Sequence, residues 1–375
     1  MPYDLGLGVR LLVFSRLRLL AAFAGIAVAV VVMFVELGLL IGILDSQALM
    51  ATLVRGDLVA VNVARTNLHK WDTMERIRVS QIAGATEVER VIPVYQGTMG
   101  LRDPDTNAVR RILAVAFPPD ELPFNIGDPE EISRALRVPG TILFDRLSRP
   151  IYADVAPGGD VDLDGLQFRV AGYVSIGPDV INDGAVVMSD ATWFRRNPNA
   201  RPIMAVIRVR QGADVAAVRE RIAAALPADV AVFTPGELER REFDFTLRSA
   251  PIGILFGIGM LAGLVIGSIT CYQILFNEIV DRLPQYATLK AMGFSDVFLR
   301  GVILEQAVVL SWGGYLGGLV FAWICFTYIA GETALPVGLG AFSTLLIFVL
   351  AMGMSVVAGL FALRRVTAAD PAELY

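Results

Sequence analysis

Residues 19–44 read LLAAFAGIAVAVVVMFVELGLLIGIL, and Glu36 is the only charge in the run. A bilayer core takes about 20 consecutive apolar helical residues, so this stretch is long enough to cross one with slack for tilt. Its apolar core is too long for a cleavable leader, and no small-residue cleavage pattern precedes Asp45. Three further runs have the same character, between Arg248 and Glu278, between Glu305 and Glu332, and between Glu332 and Arg364. The chain has 375 residues, 55% hydrophobic and 18% charged, against about 25% charged in ordinary soluble domains. A net charge of −5 gives no general attraction to nucleic acid.

The expected fold is a membrane protein with four transmembrane helices and a large α+β domain inserted between the first and second. The segments are 1–18, an amphipathic N-terminal helix; 19–44, the first span; 45–249, the inserted domain; and 250–279, the second span. They continue as 280–301, a loop with a short helix; 302–329, the third span; 330–339, a short loop; 340–363, the fourth span; and 364–375, a tail. Arg10, Arg16 and Arg18, then Arg282, Lys290 and Arg300, then Arg364 and Arg365 flank the spans on one side, whereas 330–339 holds no Lys or Arg. The positive-inside bias makes both termini and the 280–301 loop cytoplasmic and the inserted domain external.

In that domain, strands are expected at Asp57–Ala64, Thr141–Phe144, Gln167–Ile176, Ala185–Met188, Ile203–Val209 and Val230–Phe233. Val91–Leu101 and Ala108–Phe117 read as a hairpin around the turn DPDTN. Trp71–Ala83, Val215–Leu226 and Pro235–Ser249 read as helices, the second with Val215, Val218, Ile222 and Leu226 on one face. Segments 118–129, 157–159 and 197–202 read as loops.

The chain lacks a GxxxxGK[ST] phosphate loop, HExxH and GxSxG. It holds one histidine, His69, which a solvated or capping position explains better than catalysis, and two cysteines, each inside an apolar run. It therefore reads as no enzyme, with no cofactor or metal of its own. Glu36 lies about 26 Å along the helix from Leu19 and reads as a headgroup-level residue; Glu278 and Glu305 read as helix-end carboxylates. Gly259, Gly263 and Gly267 in the second span, and Gly313/Gly317 with Gly314/Gly318 in the third, recur at the four-residue spacing that lets helix backbones approach. Packing within the chain and a dimer interface both fit that spacing.

The loop DRLPQYATLKAMGFS, residues 281–295, holds a short helix opened by Pro284 and closed by Gly293. A short helix held between two spans suits a groove on a partner, with Tyr286, Leu289 and Met292 or Gly293 along one edge.

LPQYATLKAMGFS resembles the cytoplasmic coupling helix of DevC-type ABC transporter permeases, in the MacB/FtsX/LolC-like superfamily. LLAAFAGIAVAVVVMFVELGL, AFPPDELPFNI, TILFDRLSR, DGAVVMSD, the approach Ser249-Ala250-Pro251-Ile252-Gly253 and the tail LRRVTAADPAELY resemble that family in the same order. The resemblance implies a type VII ABC exporter: a homodimeric inner-membrane permease with a MacB-like periplasmic core domain. It implies a separate DevA-like ATPase that binds ATP and Mg, a DevB-like membrane-fusion protein, an outer-membrane channel, and a lipid or glycolipid cargo. Leu283, Gln285, Tyr286, Ala287, Thr288, Leu289, Lys290, Met292 and Gly293 then become the ATPase-coupling residues. Gln285 stands where the family commonly has Glu, so a specific salt bridge there is not implied. The alternatives are an FtsX- or LolC-like subunit, which regulates a periplasmic enzyme or releases lipoproteins, and a membrane-anchored periplasmic receptor.

Overall fold

The computed structural model of the chain describes residues 6, 16–104, 106–152, 155–249, 251–333 and 336–368. Most of the expected N-terminal helix and the end of the tail lie outside them. Two compact units emerge: Met1–Ile41 with Ile252–Ala330 and Val337–Tyr375, and Gly42–Pro251 with Gly331–Pro336.

The first unit is a bundle of four helices long and apolar enough to cross a membrane: α1 (Arg16–Thr52), α7 (Ile252–Asp281), α9 (Asp296–Thr333) and α10 (Ala341–Ala368). Each outlasts its apolar run, since helix hydrogen bonding does not stop where the bilayer does. Between α7 and α9 lies the short α8 (Leu283–Ala291). Ile26, Val30, Met33, Phe34, Leu275, Ile303, Leu310 and Ala351 are among the buried residues of the bundle core.

The second unit is α+β. Four strands, β1 (Leu58–Asn62), the first half of β2 (Val88–Arg102), β8 (Met204–Val209) and β9 (Val230–Phe233), form an antiparallel sheet in the order β9-β1-β8-β2. With α2 (Arg76–Ala83) after β1 and α5 (Val215–Ala225) after β8, this is a split βαβ–βαβ pattern. Its alternation is visible in β1. Leu58 and Ala60 join the core under α2 and α5, and Val59 and Val61 join the core on the other face. Pro93, which donates no hydrogen bond, sits in the edge half-strand.

Everything between β2 and β8 is an insertion. The second half of β2 pairs with β3 (Val109–Phe117). From there the order runs through β7 (Ala185–Ser189), β4 (Thr141–Asp145), β6 (Leu166–Val174) and β5 (Asp160–Leu163) back to β2, closing a six-stranded ring. Ile112, Ala114 and Ala116 join one core, with Phe144, Phe168 and Val170, and Leu113, Val115 and Phe117 join the core shared with β1 and α1. Both faces of β3 are buried, which is why it reads as an apolar run rather than an alternation.

Three differences from the sequence reading have local causes. The helix expected over Trp71–Ala83 begins only at Arg76. Asn62 Nδ2 donates to the Thr73 carbonyl (2.7 Å) and Met74 N–H to that of Pro202 (2.8 Å), which hold the preceding residues as a loop. β5 follows the 157–159 loop in a stretch to which the sequence reading assigns no element. Asp164 and Gly165 have φ of 52° and 81° and join Leu163 to Leu166 as a two-residue hairpin turn. Two helices went unread, α3 (Pro129–Leu136), capped by Asp128 through Glu130 N–H with Pro129 in its first turn, and α4 (Asp190–Arg196), capped by Ser189. The remaining helix, α6 (Pro235–Ser249), leads by sequence into α7.

Candidate coupling site and a buried charged joint

α8 opens on a proline and is closed at its C-terminal end by its own backbone. Pro284 occupies its first turn. At the other end Gly293, at φ +91°, donates to the Lys290 carbonyl (3.0 Å) and Phe294 N–H to that of Leu289 (3.1 Å). These are the two bonds of a Schellman ending, and only glycine adopts the left-handed conformation there without strain. Ser295 then accepts the Phe298 N–H (3.3 Å) as cap of α9, and the Phe294 and Phe298 rings lie 4.8 Å apart. The chain between the two spans is thus a fixed corner.

The structure divides the expected coupling residues into two groups. Tyr286 is buried in the bundle core, with Leu289 half-buried against it. The Tyr286 hydroxyl faces the buried Gln306 amide, and neither completes a well-formed hydrogen bond among the described residues. Gln285, Thr288, Lys290, Met292 and Gly293 are exposed, and Leu283 is half-buried. The exposed edge is therefore Gln285–Thr288–Met292, in place of the edge through Tyr286 and Leu289 that spacing alone suggested. Nearby, Glu278 pairs with Arg282 one turn on, and Arg18 pairs with Asp281.

The glycines all face α1 of the same chain. A Cβ on Gly313 would overlap Phe23, one on Gly314 would overlap Ile26, and one on Gly318 would come within 2.5 Å of Val30. Gly317 lies against Ala27. In α7, Gly259 lies against the Glu36 carboxyl, Gly263 against Met33, and Gly267 between Ala29 and Met354.

In the α+β unit, ionic side chains gather where the loop after β1 meets α6. Arg65 is 1% exposed; its Nη1 donates to the Ile203 carbonyl (2.8 Å) and its Nη2 to that of Leu68. Burial pushes this guanidinium down to about 10, against the attraction of Glu242. Glu242, also 1% exposed, accepts the Leu68 N–H (2.9 Å). Burial raises its pKa above the usual carboxylate value, although the Leu68 amide, His69, Arg65 and Arg241 pull the other way. His69 Nε2 lies 3.2 Å from Asp179 Oδ2. Burial works to raise Asp179 too, but His69 and Asn182 outweigh it and leave this carboxyl below its usual value. His69 is therefore largely buried and paired with Asp179, in place of the solvated or capping position expected. Glu242 Oε1, His69 Nδ1, Arg65 Nε and Thr66 Oγ1 are buried without partners among the described residues. One sequence signal was available: Leu238, Glu242 and Thr246 fall on one face of α6 at four-residue spacing, so the glutamate stands in a buried stripe.

From Asp179 the joint continues to Arg149. Arg149 pairs with Asp183, and its Nη2 donates to the Asp179 carbonyl (3.3 Å) and its Nε to the Thr333 carbonyl (2.7 Å). Among the described residues no group of three His, Cys, Asp or Glu side chains gathers as a metal centre.

Residues 249–371 match the family model described as FtsX-like permease C-terminal. This part of the chain is similar to the C-terminal domain of FtsX-like permeases. No curated protein matches the chain. Among solved structures, the chain is similar to the periplasmic region of MacB from Actinobacillus actinomycetemcomitans, at 12% identity and a TM-score of 0.36, over 50% of this chain and 92% of that one. It is similar also to the extracellular domain of the ABC-type transporter YknZ from Gram-positive bacteria, at 9% identity and a TM-score of 0.34, over 48% and 98%. The matched segment contains the helix-packing glycines of α7 and α9 and the residues expected to couple to an ATPase.

Proposed function

We propose that this chain is the permease subunit of a MacB/FtsX-type ABC exporter and that its work is mechanical. It sits as a homodimer in the inner membrane, with both termini cytoplasmic and the α+β domain periplasmic. A separate ATPase pair binds ATP and Mg and docks on the exposed edge of α8. Movement of that pair passes through Tyr286 and Leu289 into the bundle, and α1 and α7 carry it to the periplasmic domain. The domain then drives an amphipathic cargo, a lipid or glycolipid, outward with a membrane-fusion protein and an outer-membrane channel.

The observation that supports this reading best is the construction of α8. It opens with Pro284 in its first turn, is capped at its C-terminus by the Gly293 turn, is rooted in the bundle by Tyr286, and presents Gln285, Thr288, Lys290 and Met292 outward. Such a helix can receive a push and pass it on as a unit. Purification in mild detergent with mass spectrometry of the co-purifying proteins tests it. The wild-type chain should bring an ABC ATPase with it, and Met292→Asp should lose that ATPase while remaining folded. Tyr286→Ala should keep the ATPase yet stop export. A chain that returns alone in every case would overturn the reading.

A further inference from the structure

Within the bundle, α1 and α7 touch along most of their shared length and part at one end. A Cβ on Gly263 would lie 3.0 Å from Met33, one on Gly267 3.0 Å from Ala29, and one on Gly25 3.0 Å from Thr270. Past Thr270, toward Asp281, a cleft of about 580 Å³ opens between the two helices, with the buried Ala22 and Leu310 as its floor. Pockets for small ligands usually measure about 300–1,000 Å³.

The cleft has the length of one leaflet. Thr270 and Asp281 are separated by about 16 Å of helix, and half of a bilayer core is about 15 Å. Its mouth lies where the apolar runs of α1 and α7 both end, and there Arg18 pairs with Asp281. Glu36, about 27 Å along α1 from Arg18, then falls at the opposite headgroup layer. The mouth is at headgroup depth on the side of α8, and Thr270 is among the tails.

The walls differ in chemistry. α1 supplies Leu19, Ala21 and Ala22. α7 supplies Thr270, Asn277 and Asp281, with Gln273 exposed on the same face. Polar side chains of a spanning helix face a cavity or a polar partner rather than lipid tails. At the mouth, Glu278 is taken up by Arg282. That leaves Arg18 on one wall and Asp281 on the other; both are exposed, and an exposed pair opens at little cost. One cation facing one anion matches a zwitterionic headgroup, with its phosphate toward Arg18 and its ammonium toward Asp281. An ethanolamine ammonium carries N–H groups to donate to a carboxylate, and a choline carries none.

We propose that this cleft binds one phospholipid of the leaflet on the side of α8. The phosphoethanolamine headgroup sits between Arg18 and Asp281, and an acyl chain lies between α1 and α7 as far as Thr270. The proposal requires only that the chain crosses a membrane, so an ATPase that fails to co-purify leaves it standing.

The test uses the full chain in nanodiscs of phosphatidylethanolamine, phosphatidylglycerol and phosphatidylcholine in equal parts. A diazirine on the acyl chain of the phosphatidylethanolamine should label Ala22 and Ile274 several-fold more than Leu360, which is exposed on α10 outside the cleft. Equal labelling would overturn the proposal. Native mass spectrometry after mild delipidation gives the headgroup. The wild-type chain should retain phosphatidylethanolamine several-fold over the other two lipids. Asp281→Asn should keep a lipid but lose the preference for ethanolamine over choline. Ala21→Trp, which fills the cleft, should lose the lipid, whereas Val28→Trp, exposed on α1 outside it, should keep it. Equal retention of the three lipids, or a preference that survives Asp281→Asn, would overturn the proposal. So would a second copy of the chain held in place of lipid and released by Ala21→Trp.

Discussion

The bundle and the α+β domain both have to bury α1, and they do so by opposite means. In the bundle, α9 and α7 approach α1 through residues that lack a side chain: Gly313, Gly314 and Gly318 from one helix, Gly263 and Gly267 from the other. Beyond the apolar run, Met50 and Ala51 of the same helix, and Val54 just after its end, join a core of large side chains with Val59, Val206 and Phe117. The physics differs because lipid tails are as apolar as leucine. Helices in a bilayer gain by fit, whereas a domain in water gains by area. Polar groups follow the same division. The bundle hides neutral ones such as Gln306, Ser311 and Ser355, while the domain hides the ionic side chains Arg65 and Glu242.

The largest test of this contrast is at the ionic joint. Arg65→Ala strands the buried Ile203 and Leu68 carbonyls and removes a charge that attracts the buried Glu242; two charged hydrogen bonds at about 1.5–3 kcal/mol each make the expected cost about 4 kcal/mol. The midpoint of chemical denaturation of the α+β domain, read in the full chain, should fall accordingly. A loss under 1 kcal/mol would mean that water already reaches Glu242. Next comes fit. Gly314→Leu forces a side chain into Ile26 and should cost about 3 kcal/mol, the upper end of overpacking. Gly257→Leu, with no atom within 4 Å of its Cβ position, should leave the melting temperature in detergent unchanged. An equal loss at both glycines would show that a second copy covers Gly257. Smaller again is the cap of α5. Asp214 accepts the Ala216 N–H at 3.0 Å, and Asp214→Ala should cost about 1 kcal/mol in the same denaturation experiment.

The smallest effect is a slope against pH. Glu242 has a raised pKa, so the folded domain holds that proton more tightly than the unfolded chain does. Its contribution is fully present below the unfolded value, about 4.3, and is lost as pH rises through the folded one. Asp179, with a lowered pKa, acts in reverse, contributing above its unfolded value and losing that contribution as pH falls through the folded one. Glu242→Gln should therefore remove a decline in melting temperature as pH rises from about 4.3, leaving the Asp179 limb at lower pH. A slope unaltered by Glu242→Gln would place the titration elsewhere, first at Asp145, whose pKa burial also raises.

Legibility followed locality. The spans, the hairpin of β2 and β3 and the strands β4, β7, β8 and β9 announce themselves within a dozen residues, by run length or by alternation. Misses arose where the signal was short and overlooked, as with Asp164-Gly165 before β6 or Asp128-Pro129 before α3. They also arose where a distant carbonyl overrode a local pattern, as Pro202 does at Met74. In the loop 281–295, Pro284 and Gly293 marked the ends of α8. The direction each residue faces was not readable, because Tyr286 points where the bundle leaves room.

By itself, then, the sequence determined that the chain crosses a membrane four times, that an α+β domain is inserted after the first crossing, and that a short capped helix joins the second and third. Each depends on free energies that accrue residue by residue along the chain: transfer into lipid, strand and helix periodicity, cap and turn chemistry. Only the tertiary structure decided that β2 serves two sheets, that six strands close on themselves, that His69 meets Asp179 and that the glycines grip α1. Those contacts join residues far apart in sequence, 110 positions for His69 and Asp179. Their energy depends on which surfaces meet, and no local window of sequence carries that information.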